Sequence, residues 1–219
     1  MRRTLVCLTV LLGAAVGGAQ QASHAGFWKG KLQITQYNFS NATVHDYVRD
    51  KDYTRRGVDL WKEEYNLYQS PAGVVREELI SMNRTRSVEG PMDVRLLDYP
   101  HGYSLVFDKG GGRAVKEPLD PPVPGESIGS RRILGFVCDG REYKWSTFQR
   151  AKVELRSWSA RDSDFKVPLL QLESMSESDG ALLALRVLVV TTLEPASGLP
   201  ASLFEPPPDL DVISVPPPK

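Results

Sequence analysis

Leu182-Leu183-Ala184-Leu185-Arg186-Val187-Leu188-Val189-Val190-Thr191-Thr192-Leu193 is the most strand-like stretch of this chain. Val187, Val189, Val190, Thr191 and Thr192 are β-branched, stiff at χ1, and suited to a pleated surface rather than a helix. Apolar residues occupy both parities of the run, which predicts the most buried, central strand of a sheet.

The same period of two recurs along the chain in short runs separated by turn residues. Trp28-x-Gly30-x-Leu32-x-Ile34 has one apolar face. From Trp61 to Tyr68, Trp61, Tyr65 and Leu67 lie on one side and Lys62, Glu64 and Asn66 on the other. Ser70-Pro71-Ala72-Gly73 is a turn, and Val74 to Ile80 returns as a strand. Met92, Val94 and Leu96 alternate, Pro100-His101-Gly102 turns the chain, and Tyr103, Leu105 and Phe107 follow. Gly110-Gly111-Gly112 supplies the positive φ of a tight reversal. Further strands are expected at 131–148, 153–158 and 165–173. Residues 117–127 are too rich in proline for a central strand and read as a surface loop. His45 to Arg56 is polar and reads as one surface helix or a loop. The fold class expected is therefore mainly β: a single antiparallel curved sheet or half-barrel with at most one or two short helices.

Arg2 and Arg3, an apolar run from Thr4 to Val16, and Gly17-Gly18-Ala19 have the order of a cleavable secretory signal over residues 1–19. The apolar run is shorter than the roughly 20 residues a membrane-spanning helix needs. Residues 20–213 then form one β-rich domain, and 214–219 an extended, proline-rich tail. Lys and Arg number 27, as do Asp and Glu; losing Arg2 and Arg3 leaves 25 against 27, a net charge of −2. No clustered basic excess points to nucleic acid. Only Cys138 remains after cleavage, so no internal disulfide forms, which suits a bacterial periplasm or exterior. The apolar run at 133–137 makes Cys138 an inert, half-buried thiol.

Few residues suggest chemistry. Gly125-Glu126-Ser127-Ile128-Gly129 has the letters of a nucleophile elbow, which needs a strand before the serine and a helix after it, with histidine later in the chain. Here a proline-rich loop precedes it, and His24, His45 and His101 all lie upstream, so Ser127 reads as an ordinary loop serine. Arg161-Asp162-x-Asp164 has half the look of a calcium loop without its glycine and closing glutamate, and reads as a turn between strands. Glu63-Glu64 and Glu77-Glu78 are neighbours in sequence, so each pair points to opposite faces of a strand and is no acid–base dyad. No catalytic residue, metal ligand or cofactor is assigned. Trp28, Trp61, Trp145 and Trp158 all fall in expected strands. Tryptophans of this kind fill cores, and these four are the candidates to line an apolar ligand surface.

From Tyr68 the order of elements resembles a family of uncharacterised exported bacterial proteins whose fold is similar to the periplasmic lipoprotein carriers, the LolA-like half-barrel. The residues concerned are Tyr68-Gln69-Ser70, Gly73, Val75-Arg76 and Glu78; Ile128-Gly129, Leu134-Gly135-Phe136 and Gly140-Arg141; and Glu154-Leu155-Arg156-Ser157-Trp158-Ser159. The ending, Leu193-Glu194-Pro195 then Ser202-Leu203-Phe204-Glu205 and Pro207, is the most specific part. Residues 27–60 do not match, and Ser178-Asp179-Gly180 replaces the family's acidic Asp-Pro turn. The resemblance implies a curved sheet whose concave apolar face covers a lipid, a lipidated chain or a partner, and no catalytic residues.

Two functions follow as expectations. One is an exported, non-catalytic binding protein shielding a lipid or other apolar ligand. The other is a structural or protein-interaction module of the cell envelope with no small ligand. A dry interior cavity distinguishes the first; a filled core with an open strand edge or exposed apolar patch distinguishes the second.

Overall fold

The computed structural model describes residues 26–39, 59–84, 93–119, 121, 123–147 and 150–215. The expected signal at 1–19 and the polar stretch from His45 to Arg56 lie outside them. Twelve strands form one open, curved sheet: β1 (Phe27–Asn38), β2 (Asp59–Gln69), β3 (Val74–Arg84), β4 (Val94–Asp98), β5 (Tyr103–Phe107), β6 (Arg113–Pro118), β7 (Glu126–Ile133), β8 (Phe136–Ser146), β9 (Lys152–Ala160), β10 (Leu170–Ser176), β11 (Leu182–Ala196) and β12 (Asp211–Ser214). The described residues hold no α-helix, only a short 3-10 turn at Ala201–Phe204. Among them no helix is long and apolar enough to cross a membrane.

The order across the sheet is β12-β6-β5-β4-β3-β2-β1-β11-β10-β9-β8-β7. Two meanders, β1–β6 and β7–β11, are joined where β11 pairs antiparallel with β1. All neighbours are antiparallel except β12, which runs parallel to β6, so the sheet is mixed rather than purely antiparallel. A parallel neighbour requires a crossover, and the 14 or so residues after β11 supply it.

Paired residues share a face, so the register sorts the side chains. Trp28, Leu32 and Ile34 of β1 lie level with Gln69, Tyr65 and Glu63 of β2, and with Pro195, Val190 and Leu188 of β11. Val75 and Leu97 continue this face into β3 and β4. The main core forms on it. Thr191 is an extra residue in β11, a bulge opposite Lys31 and Leu32. A Cβ on Gly30 would stand 2.2 Å from the Thr192 carbonyl oxygen at that bulge, so only glycine fits there. Val190 is buried in this core, whereas Val189 faces the other way and is half-buried.

Two connections complete the protein. The first joins β9 to β10 and forms a strap. Phe165, Val167 and Leu169 are all buried and pack into the main core. Their alternation with Lys166 and Pro168 looks like a strand, yet backbone bonding to β9 and β11 starts only at Leu169, because Pro168 has no N–H to donate. The Asp164 carboxylate accepts hydrogen bonds from the Gly26 N–H (2.9 Å) and Trp28 Nε1 (2.8 Å). Gln69 clamps the strap backbone by donating to the Asp164 carbonyl and accepting from the Lys166 N–H. The Arg161–Asp164 stretch is thus a connection between strands, with Asp164 as its anchor.

The second connection runs from β11 to β12 across the opposite face. There Val94, Leu96, Leu105, Phe107 and Ala114 form a second core, capped by Leu210. Phe204 stacks on Phe27, and Arg76 donates to the Leu203 carbonyl. Leu96 and Leu97 are therefore both buried, on opposite faces of one short strand.

Three further boundaries differ from expectation. Leu134 and Gly135, both at positive φ, split the expected strand at 131–148 into the β7–β8 hairpin. The loop expected at 117–127 is shorter, since β6 runs to Pro118 and β7 starts at Glu126. Ser127 accordingly lies on an exposed edge strand and not in a loop. Cys138 is wholly buried, and burial pushes its thiol up.

Candidate binding surfaces

The residues proposed from sequence to face a ligand are placed apart. Trp28 packs edge-on against Phe136 and Phe165 while its indole N–H is held by Asp164. Trp158 is buried in the main core, beneath the guanidinium of Arg131 at 4.4 Å. Its indole lies so close to Gly140 that a Cβ there would be 2.5 Å from Nε1. Trp61 is half-buried and sits level with Gln36, eight positions along β2 from the level of Trp28. Trp145 pairs with Val153 and Trp158 with Gly140; five residues separate the members on each strand, so the two indoles lie on opposite faces. Trp145 alone lines a cleft, of ≈ 360 Å³, with Val153, Lys144, Lys152, Glu154 and Ser174.

On the main-core face of β2–β4 lies a charged cluster. Glu77 is 1% exposed and accepts a 3.0 Å ion-paired hydrogen bond from Arg95, its neighbour across β3–β4. Tyr65 donates to Glu63 Oε2 at 2.8 Å, and both are buried. Burial first, then the Glu63 charge, push the Tyr65 hydroxyl well above the ordinary tyrosine range. Burial works against the charged form of Arg95, and the carboxylates of Glu77 and Glu63 more than offset it, so the guanidinium stays ionised. Each Glu-Glu pair does split across the strand. The inward members Glu63 and Glu77 share the parity of Tyr65, Leu67 and Val75, and an acid at an apolar parity was the available signal. Glu63 is paired with a phenol and Glu77 with a guanidinium rather than with each other, pairings that fix the packing of neighbouring strands.

The other half of the sheet carries its charges outside. Glu142, Lys144, Glu154 and Arg156 form ion pairs on one face of β8 and β9, Glu142–Arg156 across the strands and Glu142–Lys144 and Glu154–Arg156 along them. Hydrogen bonds from Lys144 and Arg156 hold the Glu142 carboxyl down at about 2. On the reverse face a second cleft, of ≈ 220 Å³, is lined by Asp139, Arg141, Tyr143, Ser157, Ser159, Ala160 and Arg161.

The sheet has two outer strands, β7 and β12. β7 is bulged between Ser127 and Ser130 and carries Arg131 and Arg132, features that keep an edge from pairing. β12 is regular and apolar: Val212, Ile213 and the following Val215 are 45%, 50% and 43% exposed. The amides of Asp211 and Val215 bond inward to β6, so by alternation those of Val212 and Ser214 point outward.

No family model matches the chain, and no curated protein matches it significantly. Among solved structures it is similar to an uncharacterized conserved protein from Thermus thermophilus, at 16% identity and a TM-score of 0.43, over 87% of this chain and 91% of that one. PNGF-II is similar at 11% identity and a TM-score of 0.35, over 85% of this chain, which spans 31% of the PNGF-II chain. MucB is similar at 12% identity and a TM-score of 0.30, over 82% of this chain and 58% of that chain. All three likenesses are distant.

Proposed function

We propose that this protein is an exported, non-catalytic recognition module that engages a protein partner from the outside of its sheet. The observation carrying this reading is the strap: Phe165, Val167 and Leu169 fill the apolar face on which an enclosed lipid would have to sit. Exposed apolar side chains remain on the outside instead, Ile80 and Met82 on β3, Ile128 and Leu134 at the β7–β8 hairpin, and Val212, Ile213 and Val215 at the regular outer strand β12, where they flank outward-pointing amides. Such an edge accepts an extended segment of another chain by backbone pairing. The secretory character of residues 1–19 and the resemblance to the carrier family support an envelope or secreted setting, periplasmic in a bacterium. The place of Ser127 on an exposed edge strand, with every histidine upstream of it, supports a role without catalysis.

A lipid-shielding role is the second reading, favoured by one feature, the cleft beside Trp145 and Val153. Native mass spectrometry of the purified protein, with fatty-acyl titration followed by Trp fluorescence and thermal melting, separates the two. The bare polypeptide mass and unshifted melts are expected. A co-purified lipid, or saturable acyl binding by the folded protein that Trp145→Ala abolishes, would replace the recognition reading with the lipid one.

A further inference from the structure

The cleft on β8 and β9 has donors without partners. Asp139, Arg141 and Tyr143 alternate along β8 and point to one face, and Ser159 and Ser157 lie directly opposite Asp139 and Arg141 on β9. Ser127 of β7 stands level with Arg141 on the outer side. Asp139 is committed, since Arg161 donates to it through Nε at 3.0 Å and also through Nη2. Arg141 spends one N–H on the Gly125 carbonyl at 3.3 Å, which leaves the rest of its guanidinium donors free. Among the described residues the hydroxyls of Tyr143, Ser157 and Ser159 make no hydrogen bond.

This inventory selects a ligand class. Two guanidinium groups face one carboxylate, so the lining carries a net charge of +1. Its one carboxylate is already paired, which leaves no free anion to attract a metal ion or an amine. A neutral sugar wants a free carboxylate acceptor and an open aromatic face. Here Gly125 lies against the Tyr143 ring, 2.5 Å from it for a Cβ built on that glycine. What remains is a partner with several acceptor oxygens and negative charge, the group for which guanidinium and hydroxyl donors are matched.

We propose that this cleft binds a tetrahedral oxyanion, a phosphate or sulfate group, through Arg141 and the hydroxyls of Tyr143, Ser157 and Ser159, with Arg161 fixed by Asp139 as the second positive charge. The cleft lies beside the β7 edge, at the opposite end of the sheet from β12, so the site does not depend on the edge-recognition reading. Calorimetry and amide chemical shifts at low salt test it, with inorganic phosphate and inorganic sulfate as free anions and phosphatidylglycerol vesicles against phosphatidylcholine vesicles as the headgroup source. Saturable binding that weakens with added salt is expected. Arg141→Gln should lose roughly tenfold or more in affinity, and Ser157→Ala with Ser159→Ala several-fold. Arg156→Gln, on the opposite face, should bind as the parent does. Binding of inorganic anion assigns the free ion, and binding of phosphatidylglycerol vesicles alone assigns the headgroup; either supports the site. Absence of binding in every arm, or an equal loss in Arg141→Gln and Arg156→Gln, overturns it. Matching thermal melts of the exposed-residue variants show that folding is not the cause.

Discussion

Phe165→Ala probes the strap directly. The Phe165 ring is 3% exposed and meets the edge of Trp28 at a centroid distance of 6.1 Å. Truncating a buried phenylalanine costs about 3–5 kcal/mol, and the value within that range depends on how far the surroundings collapse. Here collapse is restrained. Asp164 is tied to Gly26 and Trp28, and Gln69 bonds the strap backbone at Asp164 and Lys166 on either side of the deleted ring. The cavity should therefore persist and the loss reach at least the middle of that range, about 4 kcal/mol. For a domain of this size that is a fall in Tm of roughly 8–16 °C. Urea denaturation and thermal melts measure it, with the neighbouring exposed Lys166→Ala expected to change stability by less than about 0.5 kcal/mol. A persistent dry cavity also takes up benzene, which should raise the Tm of Phe165→Ala and leave the parent unchanged. If Phe165→Ala stays within about 1 kcal/mol of the parent, the strap is not seated on the sheet and its filling of the apolar face is refuted.

Arg95→Ala should destabilise by roughly 3–5 kcal/mol because it leaves the Glu77 carboxylate buried without its cation; a double variant, Glu77→Leu with Arg95→Met, should recover most of that loss in urea titrations. Tyr65 keeps its proton in the folded protein beyond the pH at which it loses it unfolded. Its contribution is complete below about pH 10 and fades as pH rises above that value. Tyr65→Phe should flatten the alkaline decline of urea midpoints, and an unchanged slope would remove Tyr65 as its source. Val190→Asp should prevent folding or cost several kcal/mol, whereas Val189→Asp, on the other face and half-buried, should cost clearly less. Equal circular-dichroism melts for those two variants would contradict the register of β11.

The existence of the strands belongs to the sequence, because alternation is a local property. Trp61, Tyr65 and Leu67 share a face whatever lies beside them, and Ser70–Gly73 turns the chain wherever β3 goes. The interior place of the Leu182–Leu193 run was likewise legible, but not its burial. Only Leu188 and Val190 of β11 are buried, whereas the short β4 buries Val94, Leu96 and Leu97, because it lies between two cores and β11 borders one. Nor was it legible which valine of that run enters the core. Period two yields two faces, and only the pairing of Leu32 with Val190, with Thr191 bulged out, makes Val190 rather than Val189 the inner one. The strap escaped because Phe165, Val167 and Leu169 have a strand's rhythm; whether such a run pairs with neighbours or lies across them depends on contacts more than 90 residues away, those of Gln69. Glu63 and Glu77 sat at apolar parities in plain view, but their partners Tyr65 and Arg95 come from strand pairing. Tertiary structure also decided the parallel β12 and the row of Ser127, Arg141 and Ser157. The composition of a segment constrains its own backbone, and a chain this long offers each strand many partners whose selection rests on the summed burial of two cores.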